Sequence, residues 1–190
     1  MNTKIFLPVA LAAGIATAYA GSAIQNGANM NPMVGGEAMY ANRDIVSNAV
    51  NSKDHTTLVA AVKAAGLVET LQGKGPFTVF APTNAAFAIL PAGTVDNLLK
   101  PANKGTLTAV LTYHVVAGKY DAKSIMNLIK RNRGSATLTT VQGGKLTARM
   151  NGPMNVVLVD GAGNTASIST YDVRQSNGVI HVIDKVLLPN

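Results

Sequence analysis

The spacing of apolar residues changes once along this chain, and the change divides it into two parts. Between residues 44 and 130 apolar side chains recur three or four positions apart, which is the helical period. After Gly134 they alternate with polar ones or cluster in β-branched runs, which is the period of strands. In the first part Asp44 stands as N-cap of a helix whose Ile45, Val46, Ala49 and Val50 share a face. Asp54 or Thr56 caps a second helix, with Leu58, Val59, Val62 and Ala65 as its buried stripe and Gly66 just past its end. Leu67, Val68 and Leu71 add a short turn before the glycines and Pro76 of 73–76. A strand at 77–81 lies between Pro76 and Pro82, and Thr83 caps a short helix through Phe87 and Leu90. Helical pieces at 94–99 and 106–113, a brief strand at 115–116 and an amphipathic helix at 122–130 complete this part. Strands are expected at 137–141, 145–150, 155–159, 165–173 and 179–188, divided by turns at Gly143-Gly144, Gly152-Pro153, Asp160-Gly161 and Asn177-Gly178. Helices first and strands afterwards predict an α+β fold with mostly antiparallel pairing, not βαβ alternation.

The N-terminus has its own pattern. Lys4, an apolar run at 5–16 too short to span a bilayer, and Ala18 and Ala20 around a cleavage point together predict a signal peptide over 1–20. Export makes the protein secreted, periplasmic or extracellular, with no integral membrane segment once the signal is removed. Residues 21–41, rich in Gly, Asn, Ala and Met, read as a flexible N-terminal arm, and the domain follows at 42–190. Met30, Met33 and Met39 are soft enough to hold Cu(I), but no histidine in the arm joins them, so they are read as apolar contacts.

Composition narrows the chemistry. Hydrophobic residues make up 47% of the chain and charged ones 13%, which excludes a disordered polymer. The absence of cysteine excludes disulfides, thiolate metal sites and cysteine nucleophiles. Without Lys4, fifteen basic residues face nine acidic ones, a charge of +6 that favours anionic surfaces. The cations cluster once, at Lys119, Lys123, Lys130, Arg131 and Arg133, with Tyr120 the single aromatic among them and not the series of stacking aromatics that accompanies nucleic-acid binding. A solvated helix end shows the same pattern.

Two motifs and a third between them carry a family resemblance. Thr78-Val79-Phe80-Ala81-Pro82-Thr83-Asn84, continuing to Phe87, resembles the first signature of the fasciclin domain. Asn177-Gly178-Val179-Ile180-His181-Val182-Ile183, continuing to Pro189, resembles the second, and Tyr113-His114-Val115-Val116 is similar to the family's Tyr-His segment. The resemblance runs from about residue 42 to the C-terminus. It implies a fasciclin-like wedge of two small, mostly antiparallel β-sheets with a layer of N-terminal helices. It also implies a non-catalytic role in cell-surface or extracellular-matrix adhesion. A second implied role is a carrier of a lipophilic, carotenoid-like small molecule in an apolar groove, since some fasciclin-like proteins bind such pigments. In animal members the Tyr-His segment is tied to receptor contact, which makes Tyr113 and His114 candidate contacts here.

The residues themselves add the following. In the second signature Ile180, Val182, Val186 and Leu188 share one face while Val179, His181, Ile183 and Leu187 share the other, so this strand is central. Phe80, Phe87, Ile180 and Val182 are expected to be buried where the signatures meet. His181 reads as a core imidazole, and His114 at a helix end as a cation suited to the carbonyl dipole. No serine sits in a nucleophile elbow, and Asp160-Gly161-Ala162-Gly163-Asn164 lacks the later acids of a calcium loop and reads as a hairpin turn. The expectation is a protein that is no enzyme and takes no cofactor or metal. Its partner would be a cell-surface or matrix component, an acidic glycan or another protein, but not nucleic acid. The contact surface would comprise Tyr113, His114, Lys119, Lys123, Lys130, Arg131 and Arg133.

Overall fold

The computed structural model describes residues 31–189, so the proposed signal peptide and residues 21–30 of the arm lie outside the described residues. In chain order it runs β1 (Met33–Val34), β2 (Glu37–Ala38), α1 (Ile45–Ala49), α2 (Thr56–Ala65), α3 (Val68–Gln72), β3 (Phe77–Pro82), α4 (Asn84–Ala88), α5 (Thr94–Leu98) and α6 (Lys104–Tyr113). There follow β4 (Val115–Ala117), α7 (Ala122–Arg131), β5 (Ser135–Thr139), β6 (Lys145–Asn151), β7 (Asn155–Val159), β8 (Thr165–Gln175) and β9 (Gly178–Ile183). Helices lead and strands follow, an α+β fold.

Seven strands pair in the order β4-β3-β9-β8-β7-β6-β5. All pairs are antiparallel except β3 with β9, the two signature strands, which run parallel with Val79 opposite Ile180. β8 belongs to both halves of the wedge. Its first residues pair with β7 and its remainder with β9, and irregularities between Ile168 and Val173 bend it between the two. The ends of the strand order also meet, because Val116 bridges Thr140 and the Val141 N–H donates to the Val115 carbonyl at 2.7 Å.

Strand alternation then builds two cores. Val79, Ala81, Ile180 and Val182 pack under α2 and α6 against Leu58, Val62 and Leu111. Phe80, Ile183, Leu146 and Leu158 face the interior of the wedge, where α7 inserts Ile125 and Ile129. β9 is buried on both faces and lies between β3 and β8, as its pattern predicts. Phe80, Phe87, Ile180 and Val182 are all buried, but Phe80 does not meet the other three. It is one residue out of phase with Val79 and Ala81, so the pleat sends it to the opposite face.

Three local expectations are corrected. Residues 33–38 form a hairpin instead of a structureless arm, and Met39 is buried in the first core. The anchor is the buried Asn48 side chain, which accepts from the Tyr40 N–H at 3.0 Å, donates to the Tyr40 carbonyl at 2.7 Å and also bonds Gln175. The start of α2 is capped by neither Asp54 nor Thr56. Asn84 Oδ1, from the first signature, accepts from the Thr57 N–H at 3.0 Å and the Thr56 hydroxyl at 3.2 Å. Val50 is exposed, its expected place on the buried face of α1 being taken by Asn48. Asp44 and Thr83 do cap α1 and α4, accepting from the N–H groups of Ser47 and Ala86.

Candidate functional site

The Tyr-His segment closes α6. The Tyr113 hydroxyl donates to the Lys145 carbonyl at 2.7 Å and accepts from the Gly161 N–H at 3.0 Å. His114 Nδ1 lies 2.8 Å from the Val110 carbonyl, and Nε2 accepts from the Leu187 N–H at 2.9 Å. A carbonyl only accepts and an amide N–H only donates, so the proton sits on Nδ1 and the ring is neutral. Burial pushes its pKa down to about 4, against the upward pull of the Val110 carbonyl and the Asp160 carboxylate. The expected imidazolium is therefore corrected, because desolvation outweighs the field at the helix end. Both side chains are buried, which also corrects their expected role as surface contacts. They tie the C-terminal segment and two turns to α6.

The other histidines are held similarly. His181 Nε2 lies 2.8 Å from the Tyr120 carbonyl, and Nδ1 accepts from the Asp172 N–H at 3.3 Å. Its ring stacks on Phe80 with centroids 5.7 Å apart, and burial lowers its pKa. His55 Nδ1 is 2.8 Å from the Ser52 hydroxyl. Burial lowers its pKa too, the Ala81 carbonyl pulling the other way although Nε2 forms no well-shaped hydrogen bond there. Asp160 turns its carboxylate inward onto the N–H groups of Ala162, Asn164 and Leu188 and the Asn164 side chain, so its loop is a hairpin turn. Among the described residues no three His, Asp or Glu side chains are grouped to hold a metal, and no helix is long and apolar enough to cross a membrane.

Between the hairpin, α1, α2 and the sheet lies an apolar cavity of about 60 Å³, lined by Val34, Ile45, Leu58, Val62 and Ile180. Ligand pockets span roughly 300–1,000 Å³. A rigid carotenoid-sized molecule does not fit this space.

The basic residues are placed differently from Tyr113 and His114. α7 is capped at its start by Asp121, which accepts from the Ser124 N–H at 2.8 Å, and by Asp172, which accepts from the Ala122 N–H at 2.7 Å. Ile125 and Ile129 turn inward, leaving Lys123, Lys130 and Arg131 exposed on the opposite side. These three positions are seven and eight residues apart and share one helix face. Lys130 and Arg131 lie in the last turn, where cations complement the carbonyl dipole. Arg133 follows in a left-handed conformation, with φ 57°, and is exposed. Lys119 is exposed as well, but sits before the helix, in a loop fastened by Thr78, with Asp121 between it and Lys123. Among the described residues none of the five is tied up in an ion pair or a side-chain hydrogen bond. The structure thus gathers Lys123, Lys130, Arg131 and Arg133 along one helix and its exit, and leaves Lys119 at the far end.

The fasciclin domain family model matches residues 53–189. A Synechocystis protein named only as protein sll1483 is 49% identical over 76% of this chain and 73% of its own length. The immunogenic protein MPB70 of Mycobacterium bovis is 37% identical over 74% of this chain and 66% of that protein. The cell surface glycolipoprotein MPB83 of the same species is 36% identical over 82% of this chain and 64% of that protein. Among solved structures, the FAS1 domain pair of the insect cell adhesion molecule Fasciclin I matches with a TM-score of 0.68 at 19% identity. That match covers 77% of this chain and 51% of the insect one, so the chain spans about half of the pair. The two signature strands pair side by side as β3 and β9 at the centre of the sheet, and by sequence and fold together this chain belongs to the fasciclin domain family.

Proposed function

We propose that this protein is a non-catalytic attachment module, exported by the signal peptide at 1–20, that works at the cell surface or outside the cell by holding an acidic glycan. The observation that carries the reading is the exposed row of Lys123, Lys130 and Arg131 on α7, continued by Arg133, with no counter-charge engaged among the described residues. Lys119 belongs to the same basic region at lower density. Its relatives' names point the same way, one mycobacterial relative being a cell surface glycolipoprotein and the insect structure a cell adhesion molecule. Non-catalysis is supported by the histidines, whose ring nitrogens are largely committed to backbone groups that fix the fold.

The test is a quadruple variant with Lys123, Lys130, Arg131 and Arg133 replaced by Ser, compared with the parent on a surface bearing a polyuronate. The variant is expected to lose most of its attachment at low salt and to keep the parent's unfolding midpoint, since solvated charges contribute little to stability. Undiminished attachment by a folded quadruple variant refutes the basic-face reading.

A further inference from the structure

Tyr113 lies beneath an open groove of about 520 Å³, away from the apolar cavity. It is lined by the turn Gln142-Gly143-Gly144-Lys145, by Gly161 and by Pro189. The Tyr113 hydroxyl holds the turn and Gly161 at once through its bonds to the Lys145 carbonyl and the Gly161 N–H. Gly144 makes the approach possible. A Cβ there would come within 2.8 Å of the Tyr113 ring and 2.7 Å of Gln142 Oε1, so any side chain would lift the turn off the ring. The tyrosine that the sequence singles out is thus a positioning residue for a ligand-sized hollow.

The groups around the hollow define what it takes. Gln142 spends its carbonyl oxygen on the Gly144 N–H at 2.9 Å, which leaves its amide NH₂ as a donor. Lys145 is exposed and brings a positive charge, and among the described residues no acidic side chain lines the groove. The neighbouring Asp160 does not compensate it at contact range, because that carboxylate is buried and aimed at four N–H donors. The mixture of one ammonium, one amide donor and the Pro189 ring suits a hydroxyl-rich ligand carrying a carboxylate.

We infer that this groove is a binding subsite for a short acidic oligosaccharide, with a uronate carboxylate on Lys145 and sugar hydroxyls accepting from the Gln142 amide. The choice of an acidic sugar rests on the glycan-attachment reading above, whereas the groove is separate from the α7 face. Trigalacturonate and neutral maltotriose serve as probes, followed by amide chemical shifts and by calorimetry. Trigalacturonate is expected to shift the amides of Gln142, Gly143, Lys145 and Gly161 and to bind about tenfold more tightly than maltotriose, the loss of one charge-assisted contact. Lys145→Gln, a surface change that leaves the fold intact, is expected to abolish that tenfold preference. Gly144→Ala is expected to weaken both sugars, its fold being checked by the unfolding midpoint. The quadruple α7 variant is expected to bind trigalacturonate like the parent. Absence of shifts in the groove, equal binding of the two sugars, or an unchanged preference in Lys145→Gln overturns the subsite. If the quadruple variant loses the trisaccharide while Lys145→Gln keeps it, the sugar sits on α7, and the subsite fails while the attachment reading stands. If polyuronate attachment survives the quadruple change but trigalacturonate still marks the groove, the α7 reading fails and the subsite stands.

Discussion

Acidification reports directly on whether His114 is the buried, neutral tie that its geometry describes. In the folded protein its pKa lies at about 4, and in the unfolded chain it returns to the ordinary 6.5. Above pH 6.5 the ring is neutral in both states and its contribution to stability is complete. As pH falls below 6.5 the unfolded state takes up a proton that the native state refuses, so stability declines by up to about 1.4 kcal/mol per pH unit. The decline ends near pH 4, where the native ring protonates too, after a total loss of about 3 kcal/mol. His55 and His181, also lowered by burial, add to the loss in the same direction. Asp44 and Asp121 act lower, since their depressed pKa values cost stability only as pH falls through the carboxylate range. The share of His114 is isolated by His114→Asn, which keeps a donor toward the Val110 carbonyl but leaves the Leu187 N–H unpaired. At pH 8 that variant is expected to be less stable by about 1–3 kcal/mol. Between pH 6.5 and 4 its urea-derived unfolding free energy should fall by about 3 kcal/mol less than the parent's. Parallel curves for the two proteins, or a native His114 resonance titrating near its ordinary pKa, refute the assignment.

Other outcomes follow from the same contacts. Phe80→Ala, which empties a fully buried site stacked on His181, is expected to cost about 3–5 kcal/mol by denaturant midpoint, and a loss below about 1 kcal/mol contradicts its placement. Asn177→Ala is expected to cost about 2–4 kcal/mol. Its side chain accepts from the Ile45 N–H at 3.1 Å and donates to the carbonyls of Leu71 and Gly73 at 2.7 and 3.0 Å, so three backbone groups lose their partner. The quadruple α7 variant is expected to change the unfolding free energy by less than about 1 kcal/mol.

Much of this fold is legible in the sequence because its determinants are local. Asp44 and Thr83 cap the helices they precede, Gly66 takes the left-handed conformation at the end of α2 with φ 72°, and β9 reads as a central strand from its two apolar faces. Determinants that span sequence are not legible. The hairpin at 33–38 has two-residue strands, too short to display a period, and it is fixed by Asn48 and through it by Gln175, 127 residues further on. The cap of α2 comes from Asn84, and nothing near Thr56 announces it. The candidate site divides along the same line. The charged face of α7 follows from helical spacing alone, whereas the burial of Tyr113 and His114 depends on Lys145, Gly161 and Leu187 arriving from distant strands and turns.

The central claim, attachment through the exposed face of α7, is tested most directly by mapping the contact on the intact protein. Isotope-labelled protein is titrated with a polyuronate long enough to span the helix, at low salt and again at about 0.5 M, where charges are screened within a few ångströms. This claim predicts amide shifts at residues 123–134 at low salt, alongside those expected in the groove at 142–145 and 161, and the shifts at 123–134 fade as salt rises. Shifts confined to other surfaces, or a map unchanged by salt, would contradict it.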